Sequence, residues 1–451
     1  MSSMAVRPTP RTARAAASLR MPAFWLLTAL LIVCGSRLVR ILMTSYGKYP
    51  TATLVSIGLF ALYAVPFWLF ISSLDYMERE PPLLLATAFA WGAAVAITVA
   101  IRGNQAVSDM LAKLVSPAFA AAWGPAIAGP TIEEILKLLG VVVIVMIARA
   151  QINSVLDGMV YGALVGLGFQ VVEDVIYAIN AVALSGQGDV VGPVIATFFL
   201  RGFLAGLWSH TLFSALAGAG VAYFVVHRPF PRGAPARETP AKPDPAVSRL
   251  HPDRPFSVRL LGAVLAFTAA WALHFLWNSP LLADGVGGGG TGVLLGLLLK
   301  GAPALLLALG LIYLARHREA YYYLDHLTVL NDPAIITPAE AHAMPHGHLR
   351  SAARRYGKAR AGVRGLRAVR NLQRAQCRLA VELSRGQPPE EIEEFRQAVL
   401  LARRRMIAIR HPEAVPSPRA GIGGHGWIFW VGVLIAVVLL VWLAIRALGG
   451  A

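Results

Sequence analysis

Nine apolar runs, most of them near twenty residues, divide the chain, near 22–41, 52–74, 82–101, 128–149, 154–180, 194–227, 257–280, 291–315 and 426–447. A helix of that length spans the roughly 30 Å hydrocarbon core of a bilayer. Backbone exposed to lipid has no water to pair with, so each run must satisfy its own hydrogen bonds as a helix. The expected fold is an all-α polytopic transmembrane helical bundle, with about eight core spans and a C-terminal ninth. The chain is 56% hydrophobic and only 14% charged. Soluble domains carry about 25% charge, so an ordinary cytosolic enzyme is excluded.

Two segments do not read as simple spans. Residues 117–130 are apolar but hold Pro117, Pro125, Gly129 and Pro130, and read as a re-entrant or interfacial elbow. The run 194–227 has 34 residues, about 51 Å of helix, so part of it must be interfacial or strongly tilted.

Charge sets the orientation. The 41 Lys and Arg outnumber the 24 Asp and Glu. With the N-terminus inside, cytoplasmic segments hold 32 of the basic residues and outer segments 6. Lys137, Arg201 and Lys300 lie within spans. That asymmetry predicts a multi-pass plasma membrane protein with a cytoplasmic N-terminus and an extracytoplasmic C-terminus. The positive charge then marks a membrane side, and no nucleic acid partner is expected. Cys34 and Cys377 lie in an apolar run and a basic helix, which excludes a disulfide framework and a cysteine zinc site.

The expected organisation is a basic N-terminus (1–20), a transmembrane core (21–315), a basic helical cytosolic domain (316–420) and a C-terminal anchor (421–451). A Pro-rich linker at 228–256, read as disordered, interrupts the core. The domain carries 19 basic and 10 acidic residues. Thr337 to Glu340 reads as a capping box with Pro338 in the first turn. Pro388 and Pro389 start a helix that Arg403 to Arg405 end. The basic face is either a solvated surface or a contact for anionic lipid.

Ionisable side chains inside spans are costly and mark functional sites. Here they are Glu133, Glu134 and Lys137 in the fourth run, Glu173 and Asp174 in the fifth, Arg201 and His210 in the sixth, and His274 with Asn278 in the seventh. Each has a plainer reading. Thr131 with Glu134 resembles a capping box, Lys137 pairs with Glu133 four residues away, and Arg201 and Lys300 can snorkel outward. Depth separates the readings. Glu133 is 16 residues from Arg149, Glu173 is 16 from Asp157, His210 is 17 from His227, and His274 is 17 from Ser257. All four therefore lie roughly 24–26 Å from the inner boundary. Unrelated capping residues have no reason to share a depth, so one site in the outer third of the bilayer is expected.

His274 and Asn278 share a helix face and can aim at one oxygen, while an opposing carboxylate takes a proton from water. Those are the parts of peptide hydrolysis. Alternatively, Glu173, His210 and His274 form a two-His-one-Glu set that suits zinc, with Glu133 or Glu134 as the base. No HExxH is present.

The ordered blocks EEILK at 133–137, GLGFQVVEDVIY at 166–177, His210 within RGFLAGLWSHTLFSALAG, and HFLWN at 274–278 resemble the PrsW family of intramembrane proteases. That family is related to the CAAX prenyl endopeptidases and bacteriocin-processing membrane proteases. The resemblance covers roughly 50–315. It implies cleavage of a membrane-anchored protein, such as an anti-sigma factor, near the extracytoplasmic face. By resemblance Glu133 is the base and Glu134 its support. Glu173 stands where CAAX relatives hold water with a histidine, and His274 with Asn278 forms the oxyanion pair. Lys137 and Phe169 support the set. The family is classed with metalloproteases while its relatives suggest metal-free glutamate chemistry, so zinc-assisted and metal-free mechanisms both stand. Asp174 follows Glu173 where relatives often have Asn. Two readings from other classes are a proton-coupled transporter and a catalytically silent scaffold of the same fold.

Overall fold

A computed structural model of the chain describes residues 21–74, 77, 80–206, 209–226, 254–281, 289–384 and 389–410. The N-terminus 1–20, most of the linker 228–256 and the ninth run 426–447 lie outside the described residues. The described residues contain helices and no strand: α1 (Pro22–Lys48), α2 (Pro50–Ile71), α3 (Pro82–Leu114), α4 (Pro117–Ala148), α5 (Val155–Ser185), α6 (Gly192–Leu204), α7 (His210–Val225), α8 (Phe256–Asn278), α9 (Gly289–Thr328), α10 (Pro338–Ala343), α11 (Gly347–Ser384) and α12 (Pro389–Ala408). Six are long and apolar enough to cross a membrane: α1, α2, α3, α5, α8 and the Leu295–Thr328 part of α9. The other expected spans differ for visible reasons. α4 carries Glu133, Glu134 and Lys137 at mid-length, and the sixth run is broken into two short helices.

Contacts divide the chain into two units. One holds residues up to Ser72, Glu80–Ala222 and Leu261–Ala308; the other holds Ser73–Arg79, Tyr223–Leu260 and the chain from Leu309 onward.

In the first unit α5 is central, with 89% of its apolar window buried. Ser154 and Asp157 cap it reciprocally. Gly158, Gly162 and Gly166 recur every fourth residue, so they form a groove along one face. A Cβ on Gly162 would sit 2.1 Å from the Ser214 carbonyl oxygen, and one on Gly166 would sit 2.3 Å from that of His210. Only hydrogen fits there, so the backbone of α7 lies directly in the groove. Phe169, Gln170 and Glu173 continue the same face, which sets His210 beside Glu173.

The expected elbow at 117–130 is instead the first half of α4, a continuous helix to Ala148. Ser116 caps it by accepting from Phe119 N, and Pro117 needs no donor in the first turn. Pro125 and Pro130 each follow a glycine. A residue before proline resists the helical region largely through its Cβ, which glycine lacks. Thr131 is therefore mid-helix and caps nothing; its Oγ1 accepts from Trp271 Nε1 at 3.2 Å.

The long sixth run is not one helix. α6 passes into a π-helical stretch over Phe198–Ala205, and α7 starts afresh at His210. Gln170 fastens the break. Its Oε1 accepts from Ser209 Oγ at 3.3 Å and Thr211 Oγ1 at 3.2 Å, and its Nε2 donates to Gly206 O at 3.4 Å and Tyr63 OH at 3.2 Å. The third run extends past 101 to Leu114, so Arg102 and Lys113, counted with the outer segments, are helical.

In the second unit, Tyr323, Leu327, Ile335, Val369, Leu372 and Val399 form part of one apolar core. Thr337 and Glu340 do form a capping box on α10. Arg403 pairs with both Glu340 oxygens, and Gln376 Nε2 donates to Glu340 Oε2 at 2.8 Å. α11 kinks at Gly362, whose φ of 60° suits a residue without a Cβ.

Candidate active site

The structure brings Glu133, Glu134, Lys137, Phe169, Glu173, His210, His274 and Asn278 together within the first unit. α4 contributes three of these residues at successive positions of one face. Lys137 Nζ lies 2.9 Å from Glu134 Oε1 and 3.4 Å from Glu133 Oε2. It is also 2.8 Å from His210 Nδ1 and 4.2 Å from the centre of the Phe169 ring. An ammonium only donates, so Nδ1 of His210 accepts and its Nε2–H faces Glu173 Oε2 at 3.0 Å.

His274 is fully buried. Its Nδ1 lies 2.9 Å from Glu134 Oε1, and its Nε2 lies 3.0 Å from Asn278 Nδ2. The ionised carboxylate takes the Nδ1–H, leaving the Nε2 lone pair to accept from the amide. As a neutral ring, His274 cannot donate at Nε2, and a ligand there would have to displace the amide. Within the expected oxyanion pair, Asn278 is then the donor. Its Nδ2 also reaches Pro125 O at 3.2 Å.

A cavity of about 540 Å³ opens on this cluster, lined by Glu133, Glu173, His210, Asn278, Gly129 and Asn104 among others. Glu133 faces it, whereas Glu134 is fully buried behind and does not line it. That difference separates two adjacent carboxylates into one that can meet a substrate and one that supports.

Several participants were not picked out from sequence. Asn104 Nδ2 donates to Glu133 Oε1 at 2.8 Å; it sits in the part of α3 taken for an outer loop. Arg201, for which snorkelling was the plainer reading, bonds Glu173 Oε2 and Asp174 Oδ1, both at 2.6 Å, and covers the Tyr177 ring. Lys300 likewise turns inward, donating to Ser279 O at 2.7 Å. Gly129 gives the cavity room: a Cβ there would lie 3.0 Å from Asn278 Nδ2 and 3.9 Å from His274 Nε2.

For a metal ion, the grouping differs from the expected Glu173, His210 and His274. Among the described residues, the donor atoms within 4.8 Å of one another belong to Glu133, His210 and His274. Glu173 is drawn to the far side of His210 by Arg201. Two imidazoles and a carboxylate are the donor chemistry of a zinc-type site, and Glu134 behind His274 is the usual orienting carboxylate. The residues fit such an ion once two contacts are exchanged for it: Lys137 at His210 Nδ1 and Asn278 at His274 Nε2.

The sequence model described as PrsW family intramembrane metalloprotease matches residues 80–307, just over half of the 451-residue chain. No curated protein and no solved structure matches the chain.

Proposed function

The chain belongs to the PrsW family of intramembrane metalloproteases and is a membrane protease acting on a membrane-embedded protein, and from this we propose a mechanism and a site of cleavage. Glu133 is the general base. It takes a proton from water as the water oxygen adds to the scissile carbonyl carbon, and it returns that proton to the departing amide nitrogen. Asn278 Nδ2 turns one N–H from the Pro125 carbonyl to the oxyanion that forms. His274, held by Glu134, steadies the Asn278 amide through Nε2, and His210 is fixed between Lys137 and Glu173. A zinc-type ion held by Glu133, His210 and His274, in place of the Lys137 and Asn278 contacts of the two rings, would supply Lewis acidity to water and carbonyl, with Glu133 then a ligand and not the free base. The observation that carries the reading is that Glu133 faces the cavity with Asn278, while Glu134 lies buried with its Oε1 on His274.

The substrate is a single-pass protein, of which a membrane-anchored anti-sigma factor is one kind, cut near the extracytoplasmic face of the plasma membrane. The charge asymmetry supports this orientation, with the N-terminus cytoplasmic. The exposed arginines along α11 support contact with anionic lipid. The test is cleavage of single-pass substrates in proteoliposomes, with new termini located by mass spectrometry. Cuts should fall at the outer end of the apolar segment. Cuts confined to the cytoplasmic end would overturn the assignment.

A further inference from the structure

Four of the eleven histidines meet on the surface of the second unit, beyond the residues that the family model matches. In the sequence HAMPHGH, His342 lies in the last turn of α10, His346 between α10 and α11, and His348 at the start of α11, while His317 lies on α9. The His346 ring centre is 5.5 Å from that of His342, 5.7 Å from that of His348 and 5.7 Å from that of His317. His317 is itself held by Tyr313, with ring centres 4.6 Å apart.

Among the described residues, no carboxylate and no hydrogen-bond partner engages any of these four imidazoles. Clustered histidines usually have a reason to tolerate one another: a counter-charge, a shared proton or a shared ion. The first two are absent here. Two imidazoles on one ion at 2.0–2.1 Å place their ring centres roughly 4.5–5.3 Å apart. The observed spacings are a few tenths of an ångström to about 1 Å wider than that. The ring planes differ by 43°, 80° and 21° from that of His346, so the nitrogens do not yet converge. His342 and His348 are exposed, and rotation about their side-chain bonds is enough to turn them inward.

We propose that His342, His346 and His348, with His317, form a second metal site, separate from the protease centre and selective for dications that favour imidazole, such as zinc, nickel or copper. Imidazole ligands suit these ions, while magnesium and calcium seek oxygen ligands. His346 is well placed as the central ligand. The other three rings all stand within 5.7 Å of its own. The surrounding basic residues oppose any cation, so only ions with strong nitrogen affinity should bind.

The test uses the untagged full-length protein in detergent, titrated with Zn²⁺ and, in parallel, Mg²⁺. Wild type and His274→Ala should both show a zinc site that His342→Asn/His346→Asn lacks, and Mg²⁺ should not compete. His348→Asn, a change at an exposed position, should weaken that site on the order of tenfold, and it serves if the double variant does not fold. Co²⁺ in place of Zn²⁺ should give a visible absorption band that these variants lose. Equal zinc stoichiometry and affinity in wild type, His342→Asn/His346→Asn and His348→Asn would refute the site. Because His274→Ala empties only the protease cluster, failure of the protease mechanism and failure of this proposal are told apart.

Discussion

Nδ1 of His274 lies 2.9 Å from Oε1 of Glu134, and the same oxygen lies 2.9 Å from Lys137 Nζ. One buried carboxylate atom thus fixes the orientation of an imidazole and the position of an ammonium. Glu134→Ala should lower kcat about 10–100-fold, the usual effect of losing an orienting carboxylate, with little change in KM. Cleavage kinetics in proteoliposomes check it. A pure KM effect would mean that Glu134 contacts substrate.

Gly124 and Gly129 both precede a proline inside α4, so alanine at either incurs the same local strain. Their surroundings differ. A Cβ at 124 meets only Ser108, at 3.3 Å, while one at 129 enters the cavity beside Asn278. The two alanine variants should unfold at similar temperatures, yet only Gly129→Ala should lose activity, on the order of tenfold or more. Equal activities would show that the space beside Asn278 is not used.

The groove on α5 gives a stability prediction. At Gly162 a methyl group would stand 2.1 Å from the Ser214 carbonyl oxygen, and backbone cannot move aside cheaply. Gly162→Ala should destabilise the protein by about 1–3 kcal/mol, in the range of overpacked cores. It should also reduce activity, because His210 rides on the displaced helix. Denaturation in detergent and cleavage assays measure the two effects. Unchanged stability would contradict the close packing of α5 and α7.

Asp189 accepts from Thr51 N at 2.8 Å and Ala52 N at 2.9 Å, at the start of α2. These bonds hold its carboxyl below the usual carboxylate range. A carboxylate with a depressed folded-state pKa stabilises above its unfolded pKa, and that stability is lost as pH falls through the folded value. Asp189→Asn should therefore lower Tm at neutral pH, with the difference from wild type closing below about pH 4. A gap that persists undiminished in acid would refute the cap.

Much of this architecture was readable because lipid leaves a helix few options. Run length gave the spans, and equal counting from one boundary brought Glu133, Glu173, His210 and His274 to one level. Counting assumes uninterrupted helices, and it failed where glycine altered the effect of proline. Pro125 and Pro130 looked like breaks, yet Gly124 and Gly129 let α4 continue. The sixth run looked continuous, yet α7 starts afresh at His210, and Gln170 bonds the Gly206 carbonyl and the Ser209 and Thr211 hydroxyls there. Asn104 escaped notice because its helix outlasts its apolar run. Arg201 escaped because a long side chain can reach either water or Glu173, and only the packing of α6 against α5 decides. Which glutamate joins the two histidines was likewise a matter of side-chain direction, which periodicity does not carry.

The account rests on Glu133 as the group that activates water. The most direct measurement is the rate at which folded Glu133→Gln cleaves a single-pass substrate in proteoliposomes, beside wild type of matched Tm. The amide keeps the size and the contact with Asn104 but cannot take a proton. The predicted result is a loss of about 10²–10⁴-fold in kcat. A folded Glu133→Gln protein that cuts at the wild-type rate would contradict the mechanism.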